Sequence, residues 1–123
     1  AHMLELGANV DVAVFTAGSA DPESLVLNLG YLSEEETAEL SAHAVGDVCS
    51  RFFTADGSPA APEVDARTVG ITLSDLAKRP TRVLVAGGAR KAAAIRTALD
   101  MGLATHLVID HDTASRILDE PGD

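Results

Sequence analysis

The stretch that most constrains this chain is residues 82–110, RVLVAGGARKAAAIRTALDMGLATHLVID. A short apolar run, Arg82 to Ala86, meets Gly87-Gly88. A helix-like segment with Lys91 in its first turn follows, and a second apolar run, His106 to Asp110, closes the unit. Ala92, Ile95, Ala98 and Leu99 recur at helical spacing and make one narrow, alanine-rich apolar face that lets a helix lie close on a sheet. Gly102 supplies its stop. Strand, glycine turn, helix and strand form a βαβ unit. The turn itself suits an anion, because backbone N–H groups converge there at the positive end of the helix dipole, beyond the carboxyl end of a strand. Arg90 and Lys91 oppose that dipole by ~0.3–1 kcal/mol each. Their placement makes sense if an anion such as a phosphate sits between them; otherwise they are exposed cations tolerating a small penalty. Neither GxGxxG nor GxxxxGK[ST] is present, so a dinucleotide or P-loop nucleotide is not indicated.

The preceding residues repeat the alternation of strand and helix. Leu4 to Val10 reads as a helix end or linker broken by Gly7 and Asn9. Val12 to Thr16 is a continuous apolar run, as in a strand covered on both faces, and it ends in a small-residue turn, Ala17-Gly18-Ser19. Asp21-Pro22 opens a short helical piece that Gly30 stops. Ser33-Glu34-Glu35-Glu36 is a capping-box pattern for a helix reaching about His43. Its three glutamates read as a solvated first turn, and His43 as a helix-end residue. Val45 to Phe53 is expected to be one extended strand, Ala55 to Ser58 a tight turn, and Ser58 to Asp65 an irregular excursion. Thr68 to Ile71 is a short strand candidate. Thr72 or Ser74 caps a helix that Pro80 ends. A last helix spans roughly 113–119, capped from Asp110 to Thr113. Together these elements indicate an α/β layered fold with a mainly parallel sheet.

Composition narrows the partners. The 123 residues make one domain at most. Their 46% hydrophobic content is that of a folded protein, and with only 3% aromatics the apolar material is mostly Ala, Val and Leu. A formal net charge of −10 disfavours direct DNA or RNA binding. The single cysteine, Cys49, allows no disulfide within the chain and fits a reducing, cytoplasmic setting, with a buried structural thiol expected. No apolar stretch approaches the ~18 residues of a membrane span. Ala1-His2-Met3 looks like a cloning remnant, leaving residues 4–123 as the natural sequence.

Two further positions could join the glycine turn. Asp47 is an acid in a small, apolar run: either a ligand contact or a satisfied structural carboxylate. Carboxylates recognise sugar hydroxyls because an ionised oxygen pair accepts two hydrogen bonds. Gly18-Ser19 is a second strand-end loop, a tight turn or a border of the same crevice. Catalysis finds little support, since there is no nucleophile elbow, no Cys/His pairing and no metal cluster at any local spacing. A Schiff-base lysine would first need a lowered pKa.

The runs TAGSADPESLVLNLGYLSEEETAEL, AVGDVCSRFFTADGSPA, RTVGITLSDL and the opening stretch, in this order from about Asp11 onward, resemble the effector-binding domain of SorC-family bacterial transcriptional regulators. The resemblance implies a sugar-binding fold similar to ribose-phosphate isomerases, glucosamine-phosphate isomerases and CoA transferases. It also implies a phosphorylated sugar or related metabolite as effector, no cofactor, and DNA binding by a separate helix-turn-helix domain outside this chain. Asp47 matches the acid of the family's G-[DE] segment and Lys91 the lysine after the glycine pair, both expected to contact effector. Gly87, Gly88, Gly18 and Ser19 match the adjoining loops. Thr54 departs from an aspartate seen in many members, and only the second half of the effector domain is expected here. The other readings are a sugar-phosphate isomerase or Schiff-base enzyme on the same fold, and an oligomerisation module. A truncated parallel sheet also leaves an open edge that invites self-association.

Overall fold

The computed structural model describes residues 2–21 and 30–119. Two small sheets share one helix. The first is parallel, with β1 (Val12–Phe15) and β6 (His106–Val108) flanking β5 (Thr81–Val85). The second is antiparallel, in the order β2 (Ala17–Ser19), β3 (Gly46–Val48), β4 (Arg51–Phe53). The βαβ unit forms as its sequence indicates: β5, the glycine turn, a 3-10 turn (Ala89–Lys91), α5 (Ala92–Asp100), then β6. Lys91 donates its N–H to the Gly88 carbonyl at 2.9 Å, so the helix begins in a tightened turn.

Helix α5 is buried on more than its alanine stripe. Ala92, Ile95 and Ala98 are buried as expected, but so are Ala94 and Thr97. The cause is packing from two sides: the core holds Leu84 of the parallel sheet together with Ala17 and Val48 of the antiparallel one. The approach is close. A Cβ on Gly46 would stand 2.3 Å from that of Ala94. β4 divides the interior, since neighbouring strand residues point to opposite faces. Phe53 enters the main core, whereas Phe52 enters a second cluster with Leu40, Ala60, Ala61 and Val64.

The remaining described helices are α1 (His2–Gly7), α2 (Glu34–His43), α3 (Pro62–Arg67), α4 (Leu73–Ala77) and α6 (His111–Asp119). The capping box of α2 is complete: Ser33 Oγ accepts from Glu36 N–H at 3.1 Å and Glu36 Oε1 from Ser33 N–H at 2.9 Å. Glu36 is also paired with Arg67, which with the Ser33 bond holds its carboxyl down at about 2. The tight turn at 55–58 is present, with Gly57 at φ +88 and Asp56 Oδ1 accepting from Thr54 Oγ1 and Ser58 N–H.

Several expectations are corrected. Ala17-Gly18-Ser19 is strand β2, not a turn; one residue, Thr16, carries the chain from the parallel sheet into the antiparallel one. Val45–Phe53 is a hairpin rather than one strand, reversed at Cys49 (φ 54) and Ser50 (φ 65). The excursion at 58–65 contains α3, because Pro62 supplies the φ of a first helical position. Thr68–Ile71 forms no strand: the Thr68, Gly70 and Ile71 carbonyls accept from the Arg51 guanidinium instead. Cys49 is half-buried rather than fully so; burial, then the Asp47 charge, pushes its thiol pKa up. The helical piece opened at Asp21-Pro22 falls largely on residues 22–29, outside the described residues.

Most consequential is the parallel sheet's second face. Ala13, Phe15 and Leu84 face the core, but Val12 (55% exposed), Val14 (69%), Val85 (43%) and Val108 (55%) share the opposite face by register and lie bare. The apolar run Val12 to Thr16 thus carries the pattern of a doubly covered strand, and the described residues cover one side.

Candidate functional site

The carboxyl ends of the three parallel strands deliver three groups to one end of the molecule: Gly18-Ser19 after β1, Gly87 to Lys91 after β5, and Asp110 after β6. In an open parallel sheet that end is where ligands settle. The hairpin adds Asp47, because Gly18 pairs with Asp47 and Ser19 with Gly46.

Asp47 is 7% exposed. Its Oδ2 accepts from Ser50 N–H at 3.3 Å, across the tight turn at Cys49-Ser50. Among the described residues its Oδ1 accepts no hydrogen bond, and it lies against Gly18, 2.3 Å from where a Cβ would stand. Glycine is required there by space, not by backbone angle. Burial raises the Asp47 pKa, while the Ser50 bond and the Lys91 ammonium pull against that rise. A short, buried carboxylate with one spare oxygen and a cation in electrostatic reach can accept from hydroxyls and complement an anion.

The glycine turn is less open than its sequence implies. Gly88 (φ +111) donates its N–H to Thr113 Oγ1 at 2.9 Å, so one of the converging donors is already used. Thr113 donates its hydroxyl to Asp110 Oδ1 at 2.7 Å, and Asp110 Oδ2 accepts the Thr113 N–H at 3.0 Å, capping α6. These bonds from Thr113 hold the Asp110 carboxyl below its ordinary value. Gly87 has to be small here, since a Cβ would meet Asp110 Oδ1 at 2.8 Å. Arg90 pairs with Asp21 at 2.6 Å. Lys91 is therefore the cation nearest Asp47 in role, half-buried at the start of α5.

Sequence reasoning singled out Asp47, Lys91, the glycine pair and Gly18-Ser19, and the fold brings them to one end. It missed Thr113 as a partner of Gly88, which lies 25 residues away. It also missed Arg51, 8% exposed, whose donors reach the carbonyls of Asp65 (2.7 Å), Gly70 (2.9 Å), Thr68 (3.2 Å) and Ile71 (3.4 Å) and the Asp65 carboxylate (3.3 Å). The guanidinium thus donates four hydrogen bonds to backbone carbonyls and pairs with one carboxylate. Arg51 borders a cavity of about 410 Å³ with Phe53, Pro59, Leu73 and Met101, apart from Asp47 and Lys91. With its arginine fully engaged, that cavity has little to offer an anion. Thr54, the position that departs from the family pattern, spends its hydroxyl on Asp56 within the tight turn. Among the described residues no group of three or more His, Cys, Asp or Glu side chains could hold a metal ion.

Known proteins agree with this architecture. Residues 1–119 match the family model described as "Putative sugar-binding domain". The chain is 42% identical over 119 residues to the Deoxyribonucleoside regulator of Bacillus subtilis, covering 97% of this chain and 38% of that protein. It is 39% identical over 112 residues to the transcriptional regulator LsrR of Klebsiella pneumoniae, covering 88% of this chain and 35% of that protein. A DeoR family transcriptional regulator from Listeria monocytogenes superimposes with a TM-score of 0.87 at 38% identity, over 94% of this chain and 47% of that one. The full-length sorbitol operon regulator SorC from Klebsiella pneumoniae does so with a TM-score of 0.80 at 28% identity, over 94% and 38%. The chain thus spans less than half the length of these relatives. It belongs to the sugar-binding domain family of SorC- and DeoR-type transcriptional regulators.

Proposed function

We propose that the chain is the C-terminal part of an effector-binding domain, residues 4–123, that binds a phosphorylated sugar and alters DNA binding by a separate helix-turn-helix domain. The observation that carries the site is the buried Asp47 carboxylate, with one oxygen held by Ser50 and the other laid over Gly18 within electrostatic reach of Lys91. Asp47 accepts from sugar hydroxyls, and Lys91 meets the phosphate. Gly18, Ser19, Gly87 and Gly88 form the walls. The role is non-enzymatic, as the relatives' names as regulators suggest, and its setting is cytoplasmic. No described helix is long and apolar enough to cross a membrane. The Bacillus relative's name puts deoxyribonucleosides and related sugars among the candidate effectors. Calorimetric titration of the whole effector domain with a panel of pentose and hexose phosphates tests this reading. One member should bind at one site, and Asp47→Ala and Lys91→Ala should each weaken it by about tenfold or more, the loss of a charge-assisted hydrogen bond.

Self-association belongs to the same reading. An edge strand and a bare stripe of valines are surfaces that proteins cover. Sedimentation of the chain should show association with a second copy that Val14→Lys abolishes. A strictly monomeric profile at high concentration would contradict it.

A further inference from the structure

We propose that Thr113 is a positioning residue for effector recognition: its hydroxyl, oriented by Asp110, locks the Gly88 peptide and thereby sets where Lys91 stands. The inference rests on the effector reading and adds to it an element, α6, that places no side chain among the proposed contacts.

The chain of bonds has a direction. Asp110 lies at the head of α6, and its carboxylate only accepts, taking both the hydroxyl and the N–H of Thr113. Once the hydroxyl proton is committed to Asp110, the Thr113 oxygen presents lone pairs, and Gly88 N–H fills one at 2.9 Å. Gly88 is thus fixed at both ends: its N–H by α6 and its carbonyl by the Lys91 N–H at 2.9 Å. Its φ of +111 is a conformation that side-chain-bearing residues rarely adopt but that is open to glycine, so the two bonds select one of several conformations available to this peptide. Thr113 is 1% exposed, so its hydroxyl is held by Asp110 and Gly88 rather than by solvent, although Gly88 and Asp110 are themselves exposed. Asp110 Oδ1 also fills the space that a Gly87 side chain would occupy, so the two glycines and the Asp110-Thr113 pair fit as one clamp. A second tie, from Arg96 Nη1 to the Ile117 carbonyl at 3.1 Å, keeps α6 against α5. The backbone of Lys91, whose charge acts on Asp47, is therefore tied to a hydroxyl on a different helix.

The test uses the whole effector domain and the sugar phosphate that binds it tightest in the panel, with 2-deoxyribose 5-phosphate, ribose 5-phosphate and inorganic phosphate as fixed probes. Thr113→Val keeps the shape and removes the hydroxyl, whereas Thr113→Ser restores it. Affinity should fall about tenfold or more in Thr113→Val, ~1.4 kcal/mol per tenfold, and return to within about threefold in Thr113→Ser, both measured well below their melting temperatures. The Gly88 amide should be protected from hydrogen exchange in the wild type and lose that protection in Thr113→Val. If Lys91→Ala loses affinity while Thr113→Val keeps it, the positioning role is wrong and the site stands. If no probe binds the wild type, the effector reading fails and the inference with it. Should Thr113→Val not fold, Asp110→Asn replaces it, and a Gly88 amide that exchanges rapidly in the wild type would by itself overturn the proposal.

Discussion

Gly18 and Gly46 lie on adjacent strands, paired with Asp47 and Ser19 respectively, and adding one methyl group to each should produce two different failures. Neither has a left-handed φ, so the consequences are spatial. At Gly18 the new Cβ would lie 2.3 Å from Asp47 Oδ1, more than an ångström inside ordinary contact. The obstacle is the end of a side chain, which can rotate away at a cost of about 1–2 kcal/mol, partly offset by the smaller entropy of the unfolded alanine chain. At Gly46 the obstacles are the Ala94 Cβ at 2.3 Å and the Gly18 carbonyl oxygen at 2.5 Å. There relief requires parting α5 from the hairpin, at about 3 kcal/mol or more. With roughly 4 °C of melting temperature per kcal/mol for a chain of this size, Gly18→Ala should lose about 4–8 °C and Gly46→Ala about 12 °C or more. Thermal denaturation followed by circular dichroism reads the stability, and calorimetric titration the affinity. Gly18→Ala should bind effector at least about tenfold more weakly while remaining folded, because its carboxylate has been turned out. If Gly18→Ala bound as tightly as the wild type, the Asp47 carboxylate would have no part in recognition. If Gly46→Ala were as stable as the wild type, the close approach of α5 to the hairpin would be refuted.

Asp47→Asn should trade function for stability. The carboxyl's folded pKa is raised above its ordinary value of 3.8 by burial, so its ionised form opposes folding at neutral pH. The wild type regains that stability as pH falls through the folded pKa. Asn keeps an oxygen for Ser50 N–H without the charge, so the variant should melt higher than wild type at pH 7 and bind effector poorly. The difference in melting temperature should close as pH falls toward 3.8; a difference that ignores pH would remove desolvation as its cause. Arg51→Met deprives the carbonyls of Asp65, Thr68, Gly70 and Ile71 of a shared donor. It should destabilise the fold by about 3 kcal/mol or more and open residues 65–71 to limited proteolysis; unchanged cleavage kinetics would count against that role.

What the sequence disclosed was what local patterning governs. The βαβ unit, the capping box of α2, the turn around Gly57 and the cap on α6 all form where short-range chemistry places them, and the family resemblance named the domain. The failures have a common origin in partners distant along the chain. Ala17-Gly18-Ser19 reads as a turn because small residues usually mark one; it is a strand because Gly18 and Gly46 must be small for Asp47 and α5 to fit. Thr68–Ile71 carries strand residues, yet a guanidinium seventeen to twenty residues away claims its carbonyls. Two non-glycine residues with positive φ close the β3–β4 hairpin, and no turn propensity marks Cys49-Ser50. At the site, single residues were legible as candidates, because an acid in an apolar strand and a lysine after two glycines stand out. The links between them, Gly88 to Thr113 and Asp47 to Gly18, belong to the tertiary structure alone.

The central claim is that Lys91 and Asp47 hold opposite ends of one sugar phosphate. The most direct measurement is a thermodynamic cycle on the whole effector domain: affinities of wild type and Lys91→Met for the tightest sugar phosphate and for the same sugar without its phosphate. The account predicts that removing the phosphate costs the wild type about tenfold or more and costs Lys91→Met far less. Asp47→Asn, in contrast, should weaken both ligands alike. Equal losses in wild type and Lys91→Met on removing the phosphate would contradict the claim.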